Sequence, residues 1–161
     1  MENRLPPLTI RPFENTEEDK TRVNDFFDRL DPEARAFFNR NDGNHRVALR
    51  FFDDPGKDAV NFIQLMAVDE DRRMIGYVYA FQIGTGVPGI GVCCASDVKG
   101  RGLGKMLIDA IWARLKALGA AGMWLSTHQA NLRGQMLYYS YGFEHMGNHT
   151  SGEMLFLYRR K

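Results

Sequence analysis

Only two cysteines occur in the 161 residues, and they are adjacent, Cys93 and Cys94, inside an apolar run. That placement gives neither a metal-ligand spacing nor a disulfide framework, so both read as reduced strand residues. Long apolar runs are also missing. No window reaches the roughly 18 apolar residues of a membrane span, and Met1 to Pro7 lacks the apolar core of a signal peptide. A cytoplasmic protein outside the membrane is therefore expected. Charge of one sign is scarce too: Lys and Arg number 21 against 20 acidic residues, and a net charge of +1 argues against a protein that coats nucleic acid or an anionic membrane. With no internal repeat, low-complexity tract or long linker, residues 1–161 read as one domain.

What is present fits a globular core. The hydrophobic content of 44% is ordinary, and a chain of this length can bury about 70% of the surface it exposes when unfolded. The balanced charge hides an asymmetry. Residues 1–98 carry 12 basic and 17 acidic side chains, whereas residues 99–161 carry 9 basic and 3 acidic ones. The second part should attract anions and the first cations.

Turn signals divide the chain. Leu8-Thr9-Ile10-Arg11 alternates and stops at Pro12, as a short strand does. Thr16 before Glu17, Glu18 and Asp19 suits a helix start, and Val23, Phe26, Phe27 and Leu30 have helical spacing. Asp31-Pro32-Glu33 restarts a helix carrying Ala34, Phe37 and Phe38. Asn39 to Arg46 reads as a surface loop, and Val47 to Phe52 as a further helical segment. Phe62 to Val68 and Met74 to Ile83, joined by Asp69 to Arg73, suggest an antiparallel hairpin. After a joint at Gly84 to Gly89, Ile90 to Ala95 is apolar on both sides, as a central strand is. Leu103, Leu107, Ile111, Leu115 and Leu118 form a helix face ended by Gly119. Met123 to Leu125 is a buried strand, Asn131 caps a helix to about Tyr141, and Met154 to Tyr158 is a last strand.

The most informative segment is Lys99-Gly100-Arg101-Gly102-Leu103-Gly104-Lys105, between a buried strand and an amphipathic helix. Glycines let backbone N–H groups approach an anion, and the helix N-terminus adds donors and its dipole. Three cations and no acid reinforce a phosphate cradle. A plain glycine-rich strand-to-helix joint is the other reading. The segment is not a Walker loop, because Met106 follows Lys105 and Lys99 stands where the first glycine would be. Nor is it the dinucleotide fingerprint, which needs another glycine spacing.

Lys99-Gly100-Arg101-Gly102-Leu103-Gly104 resembles the acetyl-CoA pyrophosphate motif of the GNAT family of N-acetyltransferases. Asn131-Leu132-Arg133-Gly134, followed by Leu137-Tyr138 and Gly142-Phe143, is similar to that family's Asn-x-x-Ala-x-x-Leu-Tyr-x-x-x-Gly-Phe helix. Ile10-Arg11-Pro12 and the element order extend the likeness over nearly the whole chain. Two positions depart from the pattern. Lys99 replaces Gln or Arg, and Gly134 replaces Ala at a cost of about 1 kcal/mol in a helix, which close approach of a cofactor or a neighbouring helix would explain. The resemblance implies an α/β fold, a mixed, mostly antiparallel seven-stranded sheet with helices on both faces. It also implies acetyl-CoA as cosubstrate and an amine acceptor. Oligomeric state stays open, since exposed strands in this fold often pair into homodimers.

In such enzymes the strand before the glycine turn splays from its neighbour and its backbone pairs with the pantetheine arm, which maps onto Val92, Cys93 and Cys94. The two cysteines are expected to contribute backbone; a covalent acetyl-cysteine is the alternative, but no His lies in the adjoining sequence to activate a thiol. Lys99, Gly100, Arg101, Gly102, Leu103, Gly104 and Lys105 map onto the pyrophosphate site. Tyr138 is the candidate acid for the leaving thiolate, because a phenol of pKa about 10 stays protonated at neutral pH; core packing is its plainer role. Asn131 can both cap its helix and touch the cofactor arm. His128, at a strand end, is a candidate general base. Glu33, Tyr77, Tyr79 and Glu153 are further candidates.

Three function classes follow: an N-acetyltransferase acting on a primary amine of a small molecule or a protein, a CoA-binding sensor of the same fold without turnover, and a nucleic-acid binder using Arg159-Arg160-Lys161. The last is the weakest, because a terminal basic run is usually solvated. Asp31-Pro32-Glu33-Ala34-Arg35 with Phe37-Phe38, together with the turn from Ser96 to Gly104, resembles the acetyltransferase domain of bacterial protein lysine acetyltransferases. The first-choice reading is acetyl transfer by direct attack of a cationic amine's neutral form.

Overall fold

Leu8–Pro12 forms the first strand, β1, and Pro12 ends it in the computed structural model, which describes residues 4–57 and 61–161. Thr16 caps helix α1 (Glu17–Asp28), its hydroxyl accepting the Asp19 N–H at 3.1 Å. Asp19, fully buried, binds β1 to this helix. Its carboxylate accepts two hydrogen bonds of 2.8 Å from the Arg11 guanidinium, one of 2.6 Å from Arg22 and one of 2.7 Å from the Glu14 N–H. Burial opposes its ionisation, but these donors outweigh it and hold the carboxyl below the ordinary range. Helix α2 (Pro32–Phe37) begins at Asp31, whose side chain accepts the Ala34 N–H at 2.8 Å.

The expected loop from Asn39 to Arg46 is shorter than the sequence suggests. A 3₁₀ turn occupies Arg40–Asp42 and helix α3 runs from Gly43 to Asp53. Asn41 and Asp42 take left-handed φ angles of 55° and 57°, which short polar side chains tolerate. The buried Asn39 then accepts the His45 N–H at 2.9 Å, so polar residues build a helix entry that composition alone suggests is loop.

Strands β2 (Phe62–Asp69) and β3 (Met74–Phe81) form the expected antiparallel hairpin. Asp69 organises its turn by accepting the N–H groups of Asp71 and Arg73. Strand β4 (Gly89–Cys94) precedes helix α4 (Leu103–Ala117), and Gly119, at φ 88°, follows the helix end as expected. Strand β5 (Gly122–Thr127), helix α5 (Leu132–Tyr141) and strands β6 (Glu144–Asn148) and β7 (Met154–Arg159) complete the chain. The pattern-based reading misses β6, all five residues of which are exposed, so it carries no apolar alternation. It is held by pairing with β7 at the sheet edge.

The seven strands lie in the order β1-β2-β3-β4-β5-β7-β6, and only the β4–β5 pair is parallel. Adjacent residues of β3 show that helices cover both faces. Tyr77 packs its ring against Phe13, Phe27 and Phe38, on the side of α1. Gly76 points the other way, where a Cβ would meet Leu107 and Leu103 of α4 at 2.8 and 3.1 Å. The glycine lets α4 lie close on the sheet. No helix among the described residues is long and apolar enough to cross a membrane.

Candidate functional site

The parallel pair at the middle of the sheet is joined only at its start. Trp124 donates its N–H to the Pro88 carbonyl at 2.9 Å and Gly89 pairs with Trp124, after which β4 and β5 separate. Beyond that point Val92, Cys93 and Cys94 remain hydrogen-bonded to β3 on one side only. Unpaired backbone groups cannot be left dry without cost. They border a cavity of about 330 Å³, as expected of a splayed strand.

The glycine turn closes one end of this cavity. Gly100 and Gly102 have φ angles of 79° and 91°, a region that disfavours any residue with a Cβ. Gly102 caps α4 without a side-chain acceptor. Among the described residues Met106 is the first of the helix whose N–H finds a carbonyl, that of Gly102 at 3.2 Å, and the N–H groups of Leu103, Gly104 and Lys105, without an acceptor among those residues, are available to an anion. At Gly104 a Cβ would lie 2.7 Å from the Leu137 side chain, so this glycine brings α4 and α5 together. Lys99, Gly100, Gly102, Leu103, Gly104 and Lys105 all line the cavity. Arg101 does not: its guanidinium turns outward to the Arg4 carbonyl at 3.3 Å. Lys99 pairs with Asp31 at 3.0 Å, linking the turn to the start of α2. Burial opposes the Asp31 charge, yet the Ala34 N–H and Lys99 hold its carboxyl below the ordinary value.

Val92, Cys93, Cys94, Asn131 and Tyr138 line the same cavity. Burial pushes the Cys93 thiol well up and the Cys94 thiol up to about 12, so both are neutral at pH 7 and poor nucleophiles. Burial also raises the Tyr138 phenol, whose ring packs on Phe143 and Phe156. No hydrogen-bond partner for its hydroxyl occurs among the described residues, although Tyr138 borders this cavity and a second one. The Asn131 carboxamide accepts the Gly134 N–H at 3.1 Å and donates to Thr127 Oγ1 at 2.9 Å. A Cβ at 134 would stand 2.5 Å from Asn131 Nδ2. Room for the cap's own side chain therefore accounts for Gly134, which also lines the first cavity.

The second cavity, about 220 Å³, shares Phe37, Phe38, Val92, Asn131 and Tyr138 with the first. Its further walls include Tyr79, Phe81, Trp124 and Glu153. Among the earlier candidates, Tyr79 and Glu153 face it, Glu33 stands at the first cavity, and Tyr77 is fully buried with its hydroxyl on Gln64 at 2.6 Å. His128 lines neither cavity. Its Nδ1 accepts the Ala130 N–H at 3.0 Å and its ring stacks on Phe37 at 5.0 Å. Arg133 and the Phe37-Phe38 wall are site elements without a motif of their own. Gly89 and Gly91 carried a signal that was missed: each pairs across the strands with an aromatic residue, Phe81 and Tyr79, whose ring occupies the space of the absent Cβ.

No curated protein matches the sequence. The GNAT domain of S. lividans PAT is similar in structure at 18% identity, with a TM-score of 0.77 over 94% of this chain and 89% of that one. The PaiA N-acetyltransferase from Thermoplasma acidophilum, solved with coenzyme A, has 15% identity and a TM-score of 0.75 over 95% and 99%. The ribosomal-protein-S5-alanine acetyltransferase from Vibrio fischeri has 14% identity and a TM-score of 0.76 over 98% and 94%. At these identities they establish the fold. The acetyltransferase (GNAT) family model matches residues 9–143, and with a match over most of its length the chain belongs to that family.

Proposed function

We propose that the protein moves an acetyl group from acetyl-CoA to a primary amine by direct attack. One observation carries the reading: a strand opened on one side, a turn of free N–H donors and the unpartnered Tyr138 hydroxyl border one cavity. The residues fit acetyl-CoA. Leu103, Gly104 and Lys105 present N–H groups to the pyrophosphate, with Lys105 and Arg133 as nearby cations, and the Val92–Cys94 backbone faces the pantetheine arm. The cosubstrate supplies an activated thioester.

The chain's own groups manage the protons. The free amine attacks the thioester carbon, the C–S bond breaks, the sulfur takes the Tyr138 proton, and the new amide nitrogen loses one proton to a base. Backbone N–H groups of the open strand are placed to polarise the acetyl carbonyl. Glu153 suits the base better than His128, because it faces the second cavity beside Tyr138. Its Oε1 accepts the Ser126 hydroxyl at 2.8 Å, which orients the carboxylate.

A free-thiol assay with and without amine tests this, with mass spectrometry of the product. Amine-dependent CoA release and an acetylated amine are expected. Tight acetyl-CoA binding with no amine-dependent release would identify a CoA-binding sensor instead. A Glu153→Gln enzyme should lose most of its kcat, whereas His128→Ala should keep it; the reverse result would reassign the base.

A further inference from the structure

We infer that the acceptor is a small monoamine carried on a single aromatic ring, of the arylalkylamine class, bound in the second cavity. This rests on the acetyl-transfer reading and adds the acceptor's chemistry. At about 220 Å³ the cavity is below the roughly 300 to 1,000 Å³ usual for drug-sized ligands, which limits the acceptor to a small body. Its walls present the rings of Phe37, Tyr79, Phe81 and Trp124. Phe81 and Trp124 meet edge to face at 5.5 Å, and Tyr79 lies 6.0 Å from Phe81, so one part of the lining is a row of touching rings, which suits a flat ring and the face of an ammonium beside the polar groups.

The polar lining sets the charge. Glu153 is the single carboxylate among the lining residues, and no Lys or Arg is among them. One ammonium is thereby matched. A second one would be desolvated without a partner, which is costly. Of the other acids close to the site, Asp31 is already engaged by Lys99 and Glu33 lines the first cavity rather than this one. Three of the neutral polar groups are engaged, Ser126 donating to Glu153, Asn131 to Thr127 and Asn44 to the Phe38 carbonyl, whereas the Tyr138 hydroxyl has no partner among the described residues.

The test is a competition among acceptors with the intact protein and acetyl-CoA: 2-phenylethylamine, butylamine, spermidine, glucosamine and a short peptide with a free N-terminus and one lysine. The kcat/KM for 2-phenylethylamine should exceed the others by about tenfold or more, as burial of one ring implies. Trp124→Leu and Phe81→Leu should each raise its KM several-fold while the acetyl-CoA Kd stays put. Preference for spermidine, glucosamine or the peptide would overturn the arylalkylamine assignment and leave acetyl transfer standing. Release of CoA with none of the amines, despite acetyl-CoA binding, would overturn acetyl transfer itself. The wild-type ranking decides the matter even if a variant fails to fold.

Discussion

Removing one oxygen from Tyr138 tests the chemistry with little structural disturbance. The ring of Tyr138 is buried against Phe143 and Phe156, contacts that phenylalanine keeps. Its hydroxyl has no hydrogen-bond partner among the described residues, so Tyr138→Phe strands no buried polar group. The thermal midpoint should therefore move little. The proposed reaction, in contrast, loses its proton donor, since Tyr138 lines both cavities. A positioned general acid contributes about 10²- to 10⁴-fold, so kcat should fall by that factor while the acetyl-CoA Kd, measured by calorimetry, stays within about twofold. The pH profile offers an independent check. Because burial raises this phenol above its usual 10, it remains protonated through the physiological range, and the wild-type enzyme should show no alkaline loss of kcat from Tyr138 below about pH 10. An unchanged kcat in the phenylalanine variant would remove Tyr138 from the mechanism.

Two further predictions separate binding from folding. Gly102→Ala places a side chain at φ 91°, which costs about 1 to 2 kcal/mol, and Gly119→Ala does the same at φ 88° away from the cavity. Both should lower the urea midpoint, but only the change at 102 should weaken acetyl-CoA, by about tenfold or more. Equal Kd values would return the turn to a purely structural joint. Asp19→Asn leaves Arg11 and Arg22 around a buried neutral group and should cost about 3 to 5 kcal/mol. Since the Asp19 carboxyl is held below its unfolded value, its contribution is complete above about pH 4 and disappears as the pH falls through the folded pKa. The stability difference between wild type and variant should shrink on acidification; a constant difference would show that packing, not charge, is what Asn fails to replace.

How much was legible in the sequence depends on whether a signal is local. The Thr16 and Asn131 caps, the Gly119 stop and the β2–β3 hairpin follow from adjacent residues, and the structure contains each. The glycine turn was equally visible, since positive φ at Gly100 and Gly102 leaves a mark in composition. Strand β6 left none, because an exposed edge strand held by its partner needs no apolar face. The charge split is a coarser signal. It marks the cations of the glycine turn, whereas the carboxylate that lines the second cavity is Glu153, from the basic part of the chain, and Asp31 of the acidic part pairs with Lys99. Net charge over a segment says nothing about which single side chain a fold turns inward. His128 and Arg101 illustrate the same point: both belong to informative segments, yet one stacks on Phe37 and the other reaches the Arg4 carbonyl.

Gly91 ties the sheet to the second cavity, the proposed acceptor site, through one missing methyl group. Tyr79 stands opposite it in the β3–β4 register, and a Cβ at 91 would lie 2.4 Å from Tyr79 Cζ and 2.5 Å from its hydroxyl. Such distances cannot be met without displacing the ring. Gly91→Ala should therefore turn Tyr79 into the second cavity, which both residues line, at an overpacking cost of about 1 to 3 kcal/mol. The first cavity does not include Tyr79, and the Val92–Cys94 backbone stays in register with β3. The amine KM should rise about tenfold, one kcal/mol or slightly more in binding, while the acetyl-CoA Kd remains within about twofold. Steady-state kinetics with calorimetry on the same preparation separates the two terms. If instead the acetyl-CoA Kd rises and the amine KM holds, the Tyr79 ring must be supporting the separation of β4 from β5, and the acceptor would have to bind elsewhere along the open strand.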